Sequence, residues 1–253
     1  MIIEAPRRTD IPDLCALWKR VFGDTDAFLD TFFATAFSPD RALLARIDGE
    51  VVGMLYWFNC EYNKQKIAYL YAVATHEAYR GRGICHALMD ATHRLLRERK
   101  YVGVILVPAE AHLFDFYKKQ GYRICTHISI LHTNAADESV ALQSVDAKTY
   151  ATLRRTLLPH GGVIQEDENL TFLQEEATFY SGEEFLLSAK KEQDTLVGIE
   201  LLGAVSLAAR ITRALGCTEG RFRIPGDERP FAMYLSLTPT PLPPPSYFGL
   251  AFD

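Results

Sequence analysis

The 253-residue chain has little that would take it out of water. No apolar run approaches the roughly 20 residues needed to cross a bilayer, so a helical membrane protein is not expected. The opening MIIEAPRRTD lacks the basic-then-apolar order of a secretion signal. Cysteine is sparse and scattered: Cys15, Cys60, Cys85, Cys125 and Cys217 are odd in number and form no CxxC pair. Neither a disulfide framework nor a zinc site is expected, no metal ligands are assigned, and a reducing cytoplasm is the expected compartment. Positive charge is not in excess either. Lys and Arg number 27 against 32 Asp and Glu, a net charge of −5, which does not suggest a broad nucleic-acid-binding face and leaves room for a local basic patch. The Walker pattern GxxxxGK[ST] and the Rossmann pattern GxGxxG are both missing. What remains, 48% hydrophobic and 23% charged, is an ordinary globular composition long enough for one large domain or two small ones.

The first half alternates strand and helix signals. MIIEAP reads as a short strand, after which Thr9 or Asp10 can cap a helix with Leu14, Leu17, Trp18 and Val21 on one face. DTDAFLDTFFATAF predicts a second helix, stopped at Ser38-Pro39. RALLARIDGEVVGMLYWFN is two apolar runs joined at Asp48-Gly49, a hairpin signal. KIAYLYAVAT is a further strand, and Tyr69 and Tyr71 share one of its faces. ICHALMDATHRLLRERK has Ile84, Leu88, Ala91 and Leu95 at helical spacing. A short strand (YVGVILVP), a helix ended by Gly121 and an alternating strand (YRICTHISILHT) follow. A polar seam lies at about 133–146. Beyond it come helices in AKTYATLRRTLL, DENLTFLQEEA and AVSLAARITRAL, and strands in EFLLSAK, TLVGIELLG, GRFRIP, FAMYLSL and SYFGLAFD. The class is α/β, and the second half repeats the helix-then-sheet rhythm of the first only loosely.

Between KIAYLYAVAT and its following helix stands YRGRGIC, residues 79–85. A strand that runs through a glycine turn into a helix gathers unpaired N–H groups at the positive end of the helix dipole. Glycine lets backbone approach a phosphate closely, and Arg80 and Arg82 add matching charge. Alone, the stretch is equally readable as a solvated polar turn.

Its neighbours distinguish the two readings. Arg80-Gly81-Arg82-Gly83-Ile84-Cys85 resembles the Q/R-x-x-G-x-G/A signature of the GNAT acetyltransferase superfamily, with Cys85 in place of Gly or Ala. AVATHEAYRG is similar to that family's fourth-strand ending, and LVPAEAHLFDFYKKQGYR to its fifth strand and fourth helix. The resemblance covers residues 1 to about 133. It implies a GNAT fold, with a mixed, mostly antiparallel sheet flanked by helices, that binds acetyl-CoA. On this resemblance Val73, Ala74 and Thr75 would pair with the pantetheine arm. Arg80, Gly81, Arg82, Gly83, Ile84, Cys85 and His86 would hold the pyrophosphate. Tyr117 would be the acid that protonates the departing thiolate, and the acetyl group would pass by direct attack of a small-molecule or peptide primary amine.

A general base is harder to place, because KIAYLYAVAT carries no carboxylate. Glu61, His76 and Glu110 are candidates near strand or loop ends. Relatives of the enhanced-intracellular-survival type use the chain's terminal carboxylate, which points to Asp253. The wording ATHEAYRGRGI and the long second half are similar to those tandem enzymes. Residues 134–253 contain no second R-x-x-G-x-G/A, so a degenerate GNAT-like domain that completes the sheet or covers the acceptor site is expected. Glu200 and Arg229 could face that site or be ordinary surface charges. His86, His93 and His112 lack metal-site pairing, and Cys85 has no His-Asp partners to make it a nucleophile. An acyl-CoA-binding sensor without turnover is the alternative. No nucleic acid or membrane partner is expected, and a homodimer is left open.

Overall fold

Near-continuous apolar runs between positions 42 and 75 build the centre of the first sheet. The computed structural model describes residues 1–252. After a short edge strand, β1 (Ile2–Glu4), the chain forms two helices, α1 (Ile11–Phe22) and α2 (Asp26–Thr35). Strands β2 (Ala42–Ile47), β3 (Glu50–Tyr62) and β4 (Gln65–Thr75) then run antiparallel. Asp48 (φ 49°) and Gly49 (φ 88°) make the two-residue hairpin turn that their sequence signals.

The chain continues through α3 (Ile84–Glu98), β5 (Gly103–Leu106), α4 (Ala111–Lys118) and β6 (Arg123–Ile124). Strand β7 (His127–Asn134) leaves the first sheet and joins a second one. There it meets β8 (Gln143–Val145), β9 (Thr178–Ser181), β10 (Phe185–Glu192), β11 (Thr195–Gly203), β12 (Glu219–Pro225) and β13 (Arg229–Pro230). Helices α5 (Ala147–Leu157), α6 (Glu168–Glu176) and α7 (Ala208–Ala214) belong to this half. Strand β14 (Met233–Ser236) returns to the first sheet.

Each sheet has seven strands, ordered β1-β2-β3-β4-β5-β14-β6 and β13-β7-β12-β11-β10-β9-β8. Each is antiparallel except for one parallel pair, β4 with β5 and β11 with β12. The first sheet is packed on both faces. Leu14, Trp18 and Phe32 cover one, and Leu88, Met89 and Tyr122 the other. Strand exchange ties the halves together, with β7 given to the second sheet and β14 taken from it.

One expected strand is absent. Among the described residues the stretch SYFGLAFD forms no ladder; residues 246–252 make a single bridge, Gly162 to Tyr247. Buried side chains, rather than a neighbouring strand, partner much of its backbone.

Candidate active site

In the pairing of β3 with β4, Tyr56 faces Tyr71 and Met54 faces Ala74. Two steps in β3 therefore match three in β4, a bulge. Ala72 takes the strain with φ 47°, in the region side chains avoid. Tyr69 and Tyr71 point to the α1/α2 face, as their spacing predicts, whereas past the bulge Ala74 takes that face and Val73 the other. The parallel pairing of β4 with β5 ends at Tyr69 opposite Ile105. From Leu70 to Thr75 one edge of β4 has no strand beside it among the described residues. Thr75 Oγ1 at its end is buried with no hydrogen-bond partner.

The glycine turn stands directly past that open edge. Gly81 (φ 75°) and Gly83 (φ 76°) are both left-handed, and a Cβ on either would meet nothing within 4 Å. Backbone geometry therefore demands glycine here, and the space above is clear. The first intrahelical bond runs from the Ala87 N–H to the Gly83 carbonyl (2.9 Å). The N–H groups of Ile84, Cys85 and His86 come before it and have no carbonyl to donate to. Arg80 Nε donates to the Thr75 carbonyl (3.2 Å), which ties the turn to β4. The exposed Arg82 guanidinium lies 5.1 Å from the Tyr79 ring centroid. His86 is exposed, with Nε2 3.3 Å from Asp90.

Cys85 turns inward. It packs among the side chains under α3, and burial pushes its thiol up to about 11. A helix N-terminus alone would lower it, so desolvation outweighs that effect and keeps the thiol protonated. Tyr117 is 8% exposed in the same cluster, its ring 5.9 Å from that of Tyr122. Burial, reinforced by nearby Cys85, raises its phenol well above the usual value, so it holds its proton. Tyr122 is held in turn by His93, whose Nε2 lies 2.7 Å from the Tyr122 hydroxyl. His93 is thus a buried packing partner, pushed down to about 4 by burial and by Arg97.

On the other face of β4 lies a layer of rings. Tyr69 and Tyr71 meet Phe58, Phe172 and Phe252, and Tyr71 also meets Trp18, with centroids 5.6 to 6.4 Å from the tyrosine rings. The cradle residues, the β4 edge and Tyr117 are therefore brought together around the start of α3.

The other candidates take the following places. Glu61 pairs through its backbone with Ile164 at the far end of β3, opposite Lys66. His76 accepts from the Ala78 N–H through Nδ1 (3.1 Å) and sits beside Glu50 and Glu77. Glu110 is exposed beside His112. Asp253 lies outside the described residues. Arg229 is exposed at the edge of the second sheet.

Glu200 is neither a surface charge nor open to the site. It is fully buried and accepts two hydrogen bonds from Arg154, Nε at 2.7 Å and Nη2 at 2.8 Å. Its partners were legible only in part: Tyr150 and Arg154 lie four apart on α5, and a lone carboxylate in the apolar TLVGIELLG required a cation. Nothing local in the sequence marked its third partner, Tyr247, whose hydroxyl donates to Oε1.

Among the described residues no group of three or more His, Cys, Asp or Glu could hold a metal ion. No helix is long and apolar enough to cross a membrane.

Residues 3–125 match the family model described as an acetyltransferase (GNAT) domain. The fold is similar to a GCN5-related N-acetyltransferase from Kribbella flavida (TM-score 0.70, 18% identity, 92% of this chain and 70% of that one). It is also similar to a GCN5-related N-acetyltransferase from Anabaena variabilis (TM-score 0.74, 15% identity, 94% and 73%). Eis1 from Mycobacterium abscessus shares it as well (TM-score 0.69, 14% identity, 94% and 74%). At these identities the likeness concerns the fold. No curated protein matches the sequence.

Proposed function

We propose that this chain, whose residues 3–125 match an acetyltransferase (GNAT) domain, is an acyltransferase that transfers an acetyl group from acetyl-CoA to a primary amine of a small molecule or peptide. One observation carries the reading: the open edge of β4 leads straight into a glycine turn whose helix presents three unpartnered N–H groups. The clear space over Gly81 and Gly83 and the orphaned Thr75 hydroxyl both suit acetyl-CoA.

Val73, Ala74 and Thr75 would hold its pantetheine arm, and Arg80 to His86 its pyrophosphate, by backbone N–H groups and arginine charge. Acetyl-CoA supplies the activated acyl group. The amine nitrogen forms the new bond to the carbonyl carbon as the C–S bond breaks, and the sulfur leaves with the electron pair. Tyr117 donates the proton that the sulfur needs. Its raised pKa keeps the phenol protonated and so able to donate. The amine's proton passes to solvent.

In this reading residues 1–133 hold the cofactor and residues 134–253 cover the acceptor side. The second half is degenerate in our proposal, since its counterpart of the cradle opens only the seven-residue α7. A cytosolic setting fits the five free cysteines.

A second reading, an acyl-CoA sensor without turnover, draws on the missing carboxylate of β4. Release of free CoA in the presence of polyamines, aminoglycosides and peptide amines separates the two. Amine-dependent release supports transfer. Saturable acetyl-CoA binding with no release on any amine supports the sensor and overturns transfer.

A further inference from the structure

Residues 246–252 pair in no sheet, yet most of their side chains are buried. They form a strap between two cores. Tyr247 and Leu250 turn into that of the second half, Phe248 and Ala251 into that of the first. A buried backbone without a ladder needs other partners, and the second half supplies them. Gln165, with no exposed surface, clamps Leu250 from both sides. Its Nε2 donates to the Leu250 carbonyl (2.5 Å), and its Oε1 accepts from the Leu250 N–H (3.3 Å). Glu200 accepts from the Tyr247 hydroxyl (3.0 Å) and from that of Tyr150 (3.2 Å), besides its two bonds from Arg154. Gly249 passes so close that a Cβ there would stand 1.8 Å from Glu200 Oε1. The strap ends on β4. The Phe252 ring lies 5.7 Å from that of Tyr69 and 5.6 Å from that of Tyr71, and its N–H donates to the Tyr69 hydroxyl (3.3 Å).

Stability alone does not call for such a cluster. Apolar residues of similar volume replace buried ion pairs at little or no loss. What they cannot do is hold a tyrosine hydroxyl, and with it a segment of chain, at one place. We infer that Glu200 and Gln165 are positioning residues for the acceptor side of the site. Through Tyr247 and Leu250 they fix where the strap lays Phe252 along β4, and so the approach open to the amine. This rests on the reading of β4 as the strand that holds the thioester, and it gives the second half a definite task as anchor of the strap.

Two variants test it. Tyr247→Phe removes one hydrogen bond to Glu200. The double variant Arg154→Met/Glu200→Met replaces the ion pair by apolar volume, so that the core stays filled while the anchor is lost. Hydrogen exchange at the Leu250 and Phe252 amides is measured without substrate. The dissociation constant of acetyl-CoA and the KM of the best amine from the panel are measured separately. Both amides should exchange about tenfold faster in Tyr247→Phe, the loss expected for one buried hydrogen bond, and at least as much faster in the double variant. The amine KM should rise severalfold, with acetyl-CoA affinity unchanged. Wild-type exchange and wild-type KM in a folded variant overturn the inference and leave the cluster a structural one. If the wild-type protein turns over no amine, the transfer reading fails. The strap is then judged on exchange alone, with faster exchange upholding the anchor and unchanged exchange overturning it.

Discussion

Gly83 and Tyr117 carry opposite kinds of demand, one on backbone and one on chemistry. At Gly83 the backbone is left-handed and the space beyond it is open. Valine there is strained by about 1–2 kcal/mol and puts a branched side chain where a phosphate would rest. Gly83→Val should weaken acetyl-CoA binding at least tenfold in a folded protein, and unchanged affinity by calorimetry would remove the cradle. Tyr117→Phe should lower kcat about 10²-fold, within the range for a positioned acid, and leave acetyl-CoA affinity nearly unchanged. A wild-type kcat takes Tyr117 out of the mechanism.

His93 makes a third prediction. Its folded pKa, about 4, lies below the ordinary 6.5, so the unfolded chain binds the proton first as pH falls. The stability it supports is whole above pH 6.5 and is lost between 6.5 and 4. That loss is about 2 kcal/mol by pH 5. Urea midpoints at pH 7 and pH 5 should therefore differ less in His93→Gln than in the wild type, and an equal difference would exclude His93 as the source.

Among the elements, local pattern was a good guide wherever it had a short period. The Asp48-Gly49 hairpin, the shared face of Tyr69 and Tyr71, and the turn-to-helix step at Gly83 were all legible. Elements without periodic signal were not. Strands β6 and β13 are two residues each, and the 246–252 strap alternates like a strand while its backbone is met by Gln165 and a bridge at Tyr247. The bulge at Ala72, which opens β4, leaves no mark in KIAYLYAVAT. Insertion of β14 has its own test. A Cβ at Gly103 would stand 2.0 Å from the Tyr234 hydroxyl, so Gly103→Ala forces the ring, and with it β14, aside. Overpacking of this kind costs about 1–3 kcal/mol. A thermal midpoint lowered by several degrees is expected, and an unchanged one would mean that the pairing yields without strain.

For the whole molecule, the exchange of β7 and β14 means that neither half closes its sheet alone. Residues 1–133 expressed by themselves should lack a cooperative unfolding transition, because β5 and β6 lose the strand between them and β7 loses its sheet. A cooperative fragment would mean that the exchange is decoration on an independent domain. Sequence separation hid this arrangement, since β14 lies more than a hundred residues from the strands it joins. The second half therefore serves the first twice, by completing its sheet and by anchoring the strap on β4. Acetyl-CoA is proposed to lie along the open edge of β4 and over the glycine turn. Calorimetric titration of acetyl-CoA into the full chain tests that proposal most directly. One saturable site per chain, lost in Gly83→Val, is the predicted result. Absence of binding to the wild-type protein, or equal binding to the variant, would contradict it.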